Sequence, residues 1–279
     1  MKRLLPILLC LLLLTACAAP KAETGPVLAA TTRPVAQFTE ALTQGTGLTV
    51  RSVITEPVSC LHDYSLSVEQ MKLLSSADAV ILSGCGLEDF MGSALDAARS
   101  VIDSSEGIAT LPGEEGADPH IWLDPARAET MAENIANTLC KLYPEHEAAI
   151  RANLETLCGQ LDELQVYGEE KLAGLTCREI VTFHDGFAYF AEANDLTVLA
   201  AMEEEVGSEP AASQLAEITE LVRTHGLPCV FAEVNGSDRA AQTVAREAGV
   251  SVFTLDTAMG GDYFEAMHHN FDTIGEAMG

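Results

Sequence analysis

The 279-residue chain carries 42 Asp and Glu residues against 15 Lys and Arg, which gives a net charge of −27 at pH 7 with neutral histidines. Such an acidic surface argues against nucleic acid and anionic membrane as binding surfaces, and it would concentrate cations near the protein. The length is sufficient for two lobes, each with a sizeable hydrophobic core.

The N-terminus is similar to a bacterial export signal. Lys2 and Arg3 precede an apolar run, Leu4 to Leu14, which is shorter than the roughly 20 apolar residues that span a bilayer. Residues 14–17, Leu-Thr-Ala-Cys, resemble a lipoprotein signal, in which the cysteine is acylated and becomes the mature N-terminus. We therefore predict a signal over 1–17 with lipidation at Cys17, a tether over 18–26, and a protein anchored on the outer face of the cytoplasmic membrane or in the periplasm. Ordinary secretion with cleavage elsewhere is the alternative.

The following hundred or so residues alternate between β-rich runs and helical periodicity. This alternation predicts a parallel sheet with helices on both faces, and we assign it to an N-terminal lobe over 27–143. A loop rich in Gly, Pro and acidic residues, 107–118, interrupts the pattern. The predicted strands are 27–30, 48–54 and 78–83, and the predicted helices are 34–45, 67–77 and 87–99.

One histidine lies between two prolines, in the sequence Asp-Pro-His-Ile-Trp-Leu-Asp-Pro over 118–125. Each proline disfavours helical geometry in the residue before it, so we predict a non-helical segment up to Pro125. A helix should begin at that proline with Asp124 as its N-cap. His120 is then presented on a stiff loop at a helix start. By itself a loop histidine is more often structural or solvated than functional.

A second long pattern predicts a helix over 144–172 of about 40 Å. Its length suits a strut between lobes, and the alternation restarts after it in a C-terminal lobe over 173–279. In this lobe the predicted strands are 179–183, 196–200, 229–233 and 250–255. One predicted helix ends near residue 193, and the others are 210–225, 237–248 and 262–278.

Four potential metal ligands share one property: each follows a predicted strand or extended run. They are His62, His120, His184 and Asp256. In open α/β sheets ligands bind beyond the carboxyl ends of the strands, so groups from both lobes would meet in the cleft. Three imidazoles and one carboxylate suit tetrahedral zinc. The other histidines lie on predicted helices beside charged residues, and we predict that they are solvated: His146, His225, His268 and His269.

Five motifs in chain order resemble the zinc/manganese solute-binding lipoproteins of ABC importers, over nearly all of the mature chain. They are Glu56 to Tyr64, Asp118 to Pro125, Phe183 to Asp185, Gly207 to Pro210, and Leu255-Asp256 followed by Tyr263 and Asn270. The resemblance implies two Rossmann-like lobes joined by one long rigid helix, with the four groups named above as metal ligands. It also implies Zn(II) as cargo, and permease and ATPase subunits as partners.

The resemblance leaves some alternatives open. Manganese-type members usually carry glutamate where this chain has His184, so zinc is favoured, with Mn(II) or a metal-dependent surface adhesin as alternatives. A metallohydrolase would need an open coordination position and a general base. Four protein ligands would close the site, and the sequence has no HExxH or GxSxG motif. We therefore predict a monomeric binding protein that is not an enzyme.

Several smaller features are expectations only. Asp63 and Asp185 follow predicted ligands and would either orient those imidazoles by accepting hydrogen bonds or cap a helix. Cys60 and Cys85 are one candidate disulfide pair, and Cys177 and Cys229 are another. Together with Cys140 and Cys158, the six cysteines allow 15 pairings. Many zinc-type members have a His-rich loop where residues 104–118 are acidic and contain no histidine. Whether this loop collects metal is therefore left open.

Overall fold

The computed structural model describes residues 25–56, 61, 64–113, 116–202 and 210–279. Several predicted features lie outside these ranges: the predicted export signal with Cys17, the pair His62 and Asp63, Cys60, and residues 207–209. Within the ranges that the structure describes, no helix combines the length and the apolar character needed to cross a membrane.

The N-terminal lobe is built on a parallel sheet with strand order β2-β1-β3-β4. Helices lie between its strands, as the alternation predicted. A two-residue antiparallel pair, β5–β6, and the helix α3 follow. The elements are β1 (Val27–Ala30), α1 (Arg33–Leu42), β2 (Thr49–Ser52), α2 (Val68–Ser76), β3 (Ala79–Leu82), β4 (Val101–Asp103), β5 (Pro112–Gly113), β6 (Gly116–Ala117) and α3 (Pro125–Leu142).

After helix α4 (Glu147–Leu172) the C-terminal lobe repeats this architecture. Its sheet is parallel with strand order β10-β9-β7-β8. The carboxyl ends of β7, β9 and β10 therefore lie at one edge. The elements are β7 (Glu179–Phe183), α5 (Ala188–Ala193), β8 (Thr197–Ala201), α6 (Ala212–His225), β9 (Cys229–Glu233), α7 (Arg239–Ala248), β10 (Ser251–Leu255) and α8 (Tyr263–Met278).

Helix α4 joins the two lobes, which confirms the predicted fold. Its 26 residues give a length of about 39 Å at 1.5 Å per residue. It begins at Glu147 and not at Pro144, because a 3₁₀ turn (Pro144–His146) precedes it. Its buried stripe, which includes Ile150, Leu157, Leu161 and Leu164, lies in a hydrophobic core that contains side chains of both lobes. The helix is therefore packed along its length and is not a free hinge.

Two glycines, Gly168 on α4 and Gly275 on α8, allow these helices to approach each other closely. A Cβ at Gly168 would lie 2.4 Å from the ring of Phe271, and one at Gly275 would lie 3.1 Å from the carbonyl oxygen of Lys171. Phe271 also packs against Phe190 of α5, with ring centroids 5.1 Å apart. These contacts hold the C-terminal lobe against the linking helix.

Buried hydrogen bonds also connect the lobes at the cleft. Trp122 donates from Nε1 to the carbonyl oxygen of Thr257 at 2.8 Å, and Tyr263 donates its hydroxyl to the carbonyl oxygen of Trp122 at 2.8 Å. The amide of Tyr263 in turn donates to Gln37 of α1 at 2.8 Å. The aromatic side chains of this network are fully buried. The segment after His120 and the segment after Asp256 are thus held together across the cleft.

The segment before Pro125 differs from the prediction. Ile121–Leu123 forms a 3₁₀ turn, so the expectation of a fully non-helical segment is wrong. Only the residue before a proline is strongly restricted, and Asp124 is indeed extended, with φ −103° and ψ 116°. Its carboxylate accepts from the amide of Ala126 at 2.9 Å. Asp124 is therefore the N-cap of α3, as predicted.

Three other elements differ from the sequence pattern. The helix expected over 87–99 is a 3₁₀ segment (Asp89–Ala97) broken at Gly92, where φ is +46°. Strand β4 was not predicted, since three residues carry little periodicity and its position depends on pairing with β3. The hairpin β5–β6 lies in the stretch predicted as a loop.

Disulfide pairing of Cys177 with Cys229 is not present: both are free thiols, as are Cys85, Cys140 and Cys158. The Cys177 thiol instead donates to the carbonyl oxygen of Glu179 at 3.6 Å. Cys229 is buried, and burial raises its pKa to about 12. An apolar environment that disfavours the thiolate makes this an inert core cysteine.

Candidate metal centre

His120 and His184, one from each lobe, face each other across the cleft. Their Nε2 atoms are 3.3 Å apart, and their rings are perpendicular with centroids 5.1 Å apart. The His120 side chain is 12% exposed and that of His184 5% exposed. The structure therefore brings together two of the four predicted ligands, each through the same ring nitrogen.

The loop before α3 holds His120 in this orientation. One carboxylate oxygen of Asp118 accepts from the amide of His120 at 2.9 Å and from its Nδ1 at 2.8 Å. Because a carboxylate can only accept, this contact favours the neutral His120 tautomer that has its proton on Nδ1 and a lone pair on Nε2. Asp118 is buried, so this pairing is shielded from solvent.

A tyrosine of the opposite lobe supports the same loop. Tyr189 of α5 donates its hydroxyl to the carbonyl oxygen of Asp118 at 2.7 Å and accepts from the amide of Leu111 at 2.9 Å. Burial raises the pKa of Tyr189 to about 12, so the hydroxyl stays a donor at neutral pH. The guanidinium carbon of Arg127 lies 4.7 Å from the centroid of the Tyr189 ring, and the same side chain donates a hydrogen bond to the Glu192 carboxylate. This arrangement links helix α3 to helix α5. The position of His120 thus depends on both lobes.

His184 directly follows β7, and a glycine two residues later makes room for both imidazoles. A Cβ at Gly186 would lie 2.7 Å from Cδ2 and Nε2 of His184 and 3.1 Å from Cδ2 of His120. Distances under 3.0 Å are not compatible with a normal Cβ contact. The φ of Gly186 is not in the left-handed region. Glycine is therefore required at this position by the lack of space for a side chain and not by the backbone conformation.

Behind His184 lies Glu233, the last residue of β9. Its Oε2 is 3.9 Å from Nδ1 of His184, and both side chains are buried. Its Oε1 accepts from the hydroxyl of Thr257 at 2.9 Å, and this threonine directly follows Asp256. The Glu233 carboxylate therefore lies between the loop that carries His184 and the loop that carries Asp256.

Asp256 is held in place by its backbone. The buried Asn270 side chain accepts from the Asp256 amide at 2.7 Å and donates to its carbonyl oxygen at 2.8 Å. The Asp256 carboxylate accepts from the amide of Ala258 at 2.8 Å. Within the described ranges, no three His, Cys, Asp or Glu side chains form a group that could hold a metal. Asp256 follows β10 at the predicted edge but does not complete such a group with the two imidazoles.

The imidazole pair nevertheless fits tetrahedral zinc. Two nitrogens bound at about 2.05 Å with a tetrahedral angle lie about 3.3 Å apart, which is the Nε2–Nε2 separation observed. Two lone pairs at this distance repel each other unless a proton or a cation lies between them. The donor atoms therefore suit a zinc ion, and His62 and Asp256 are the remaining predicted ligands.

The other predicted residues are less informative. His62 and Asp63 lie outside the described residues, and Asp185 is half-buried, so its orienting role stays a prediction. His146 is half-buried, and His225 and His269 are exposed, although His225 pairs with Glu179 at 2.9 Å. His268 is not simply solvated, because its ring packs on Tyr167 with centroids 4.6 Å apart and its Nδ1 is 2.6 Å from the carbonyl oxygen of Phe264.

Two carboxylates beside the imidazoles were not selected from the sequence. Asp118 is part of the quoted motif, and an Asp two residues before a loop histidine is a recognisable signal for a local hydrogen bond. Glu233 has a weaker signal, a charged residue at the end of the apolar strand Cys-Val-Phe-Ala-Glu. Its position beside His184 depends on the pairing of β7 with β9.

Two parallel α/β lobes joined by one long helix, with two imidazoles facing each other in the cleft, form the architecture of a two-lobed solute-binding protein. Residues 28–277 match the family described as ZnuA, zinc-uptake complex component A, periplasmic, and the chain belongs to this family. The resemblance inferred from the five motifs is therefore confirmed.

Individual relatives agree with this placement. A putative metal-binding protein of Treponema pallidum is 28% identical over 237 residues, which cover 76% of this chain and 75% of the relative. The zinc-binding lipoprotein AdcA of Streptococcus pneumoniae is 29% identical, with 95% of this chain and 58% of the relative covered. This chain thus spans little more than half of AdcA. A crystal structure of ZnuA superposes with a TM-score of 0.82 at 29% identity, covering 91% of this chain and 99% of that one.

Proposed function

We propose that this protein captures Zn(II) outside the cytoplasm and delivers it to an ABC importer. The observation that carries the proposal is the pair of Nε2 atoms of His120 and His184, 3.3 Å apart, each from a different lobe. His62 and Asp256 complete the proposed ligand set. Membership of the zinc-uptake family supports the choice of cargo, and the net charge of −27 favours cation capture.

Binding and delivery, without catalysis, follow from the same ligand set. Four protein ligands leave zinc no open position for an activated water, which a zinc hydrolase requires. The proposed partners are the permease and ATPase subunits of the importer, and the protein is proposed to act as a monomer. Equilibrium sedimentation of the purified chain tests the monomer, and a dimeric mass would contradict it.

Discrimination between zinc and manganese tests the cargo. Imidazole suits zinc, whereas carboxylate and water suit manganese, which also prefers more than four ligands. We expect His184→Glu to narrow the preference for zinc over manganese by at least about tenfold, or 1.4 kcal/mol. Competition titration of wild type and variant with both metals buffered measures the ratio. An unchanged ratio would show that His184 is not a ligand, and absence of zinc binding by the wild type would refute the function.

Membrane attachment is a separate part of the proposal. Cys17 is proposed to carry the lipid anchor, because it follows a short apolar run in a lipoprotein-type signal. One acyl chain gives only marginal membrane binding, so stable retention needs more than one. We expect Cys17→Ser to move the protein from the membrane fraction to the soluble fraction. Retention of the variant with membranes would contradict the anchor.

A further inference from the structure

We propose that Glu233 is a positioning residue that holds the proton of His184 on Nδ1 and thereby leaves Nε2 free for the metal. The proposal rests on the proposed function, in which His184 is a ligand. It adds a role for a carboxylate that lies on neither of the loops carrying the histidines.

The two imidazoles have different support. The carboxylate of Asp118 lies 2.8 Å from Nδ1 of His120, which favours the tautomer with the proton on that atom. In this tautomer the Nε2 of His120 carries a lone pair that faces Nε2 of His184 at 3.3 Å. A neutral His184 has one proton, which lies either on Nε2, pointing to His120, or on Nδ1, pointing to Glu233. Only the second tautomer offers two lone pairs to a cation between the rings.

Glu233 favours that second tautomer. Its Oε2 is 3.9 Å from Nδ1 of His184, a distance that is longer than a hydrogen bond but that a small rotation of the ring would shorten. With the proton on Nε2, a lone pair on Nδ1 would face a carboxylate in a buried environment, where the repulsion is poorly screened. With the proton on Nδ1, the contact becomes a charge-assisted attraction.

The surroundings fix the carboxylate in this position. Oε1 of Glu233 accepts the Thr257 hydroxyl at 2.9 Å, and Thr257 also accepts from Trp122 through its carbonyl oxygen. A Cβ at Gly236 would lie 3.1 Å from Oε2, so the turn after β9 closes over the same group. Ligand histidines commonly donate their other ring N–H to a carboxylate that fixes the tautomer. Glu233 has the location and the acceptor atoms for that role.

Glu233→Gln tests the proposal with little change in shape. Its amide can still accept from Thr257, but the NH₂ group then faces Nδ1 and favours a lone pair there. We expect zinc affinity to fall by about 10- to 100-fold. Nitrogen-15 NMR of the imidazoles should show His184 moving towards the Nε2–H tautomer in the metal-free variant. Glu179→Gln is the matched control, since Glu179 faces Nδ1 of His225 at 2.9 Å on the exposed surface. The control should leave both zinc affinity and the His184 signals unchanged.

The outcomes separate this proposal from the function on which it rests. If Glu233→Gln binds zinc within about twofold of wild type, or if the His184 tautomer does not change, the role of Glu233 is refuted while zinc capture stands. If wild type binds no zinc, the function fails, and the metal-free tautomer comparison still decides whether Glu233 controls His184. Should the variant not fold, metal-free wild type provides the test, because a His184 proton on Nε2 in that state would overturn the proposal.

Discussion

Replacing His120 with alanine is expected to weaken zinc binding by more than about a hundredfold, or about 2.8 kcal/mol. The imidazole supplies one of the two facing nitrogens, and a tetrahedral site that loses one protein ligand must accept water in its place. Competition with a chelator of known zinc affinity measures the change. The fold should persist, because the ring lies in the cleft and is partly exposed.

Zinc should also stabilise the wild type against heat, since a ligand that binds only the native state raises its stability. We expect this shift to be lost in His120→Ala at the same zinc concentration. His225→Ala is the control: it removes an exposed imidazole that also pairs with a carboxylate but lies on helix α6. Similar zinc affinity in His120→Ala and wild type would remove the basis for the metal centre.

Replacing Gly186 with alanine is expected to lower zinc affinity by at least about tenfold, although glycine contributes no ligand atom. The added Cβ would lie 2.7 Å from Nε2 of His184 and 3.1 Å from Cδ2 of His120. At least one imidazole must therefore move, which disturbs the separation of 3.3 Å that suits zinc. Overpacking of this kind also costs about 1–3 kcal/mol of stability.

A second glycine of the C-terminal lobe provides the control for this substitution. Gly261 also lies in a loop of the C-terminal lobe, and a Cβ there would meet no atom within 4 Å. Isothermal titration with zinc should distinguish the two alanine variants, with Gly261→Ala close to wild type. If Gly186→Ala binds zinc as tightly as Gly261→Ala, the imidazoles are free to rearrange and their observed spacing does not determine affinity.

Much of the fold was predictable because its elements have local signals. The strands Glu179–Phe183 and Cys229–Glu233 occur at the predicted residues, and α6 ends as expected at Gly226, where φ is +64°. Apolar runs, N-caps and C-cap glycines act over a few residues, so they can be read from the chain. Short elements such as β4 (Val101–Asp103) carry too few residues for a periodic pattern, and their formation depends on a partner strand.

The sequence by itself determined that Asp118 lies two residues from His120, and it predicted that each proposed ligand follows a strand or an extended run. The tertiary structure alone decided that His120 faces His184, that Tyr189 bonds the loop of Asp118, and that Glu233 lies behind His184. It also decided that Cys177 and Cys229 are unpaired thiols. The reason is physical: capping and periodicity depend on neighbours in the chain, whereas these contacts join residues 49 to 71 positions apart. Their geometry is set by the packing of two lobes on one helix.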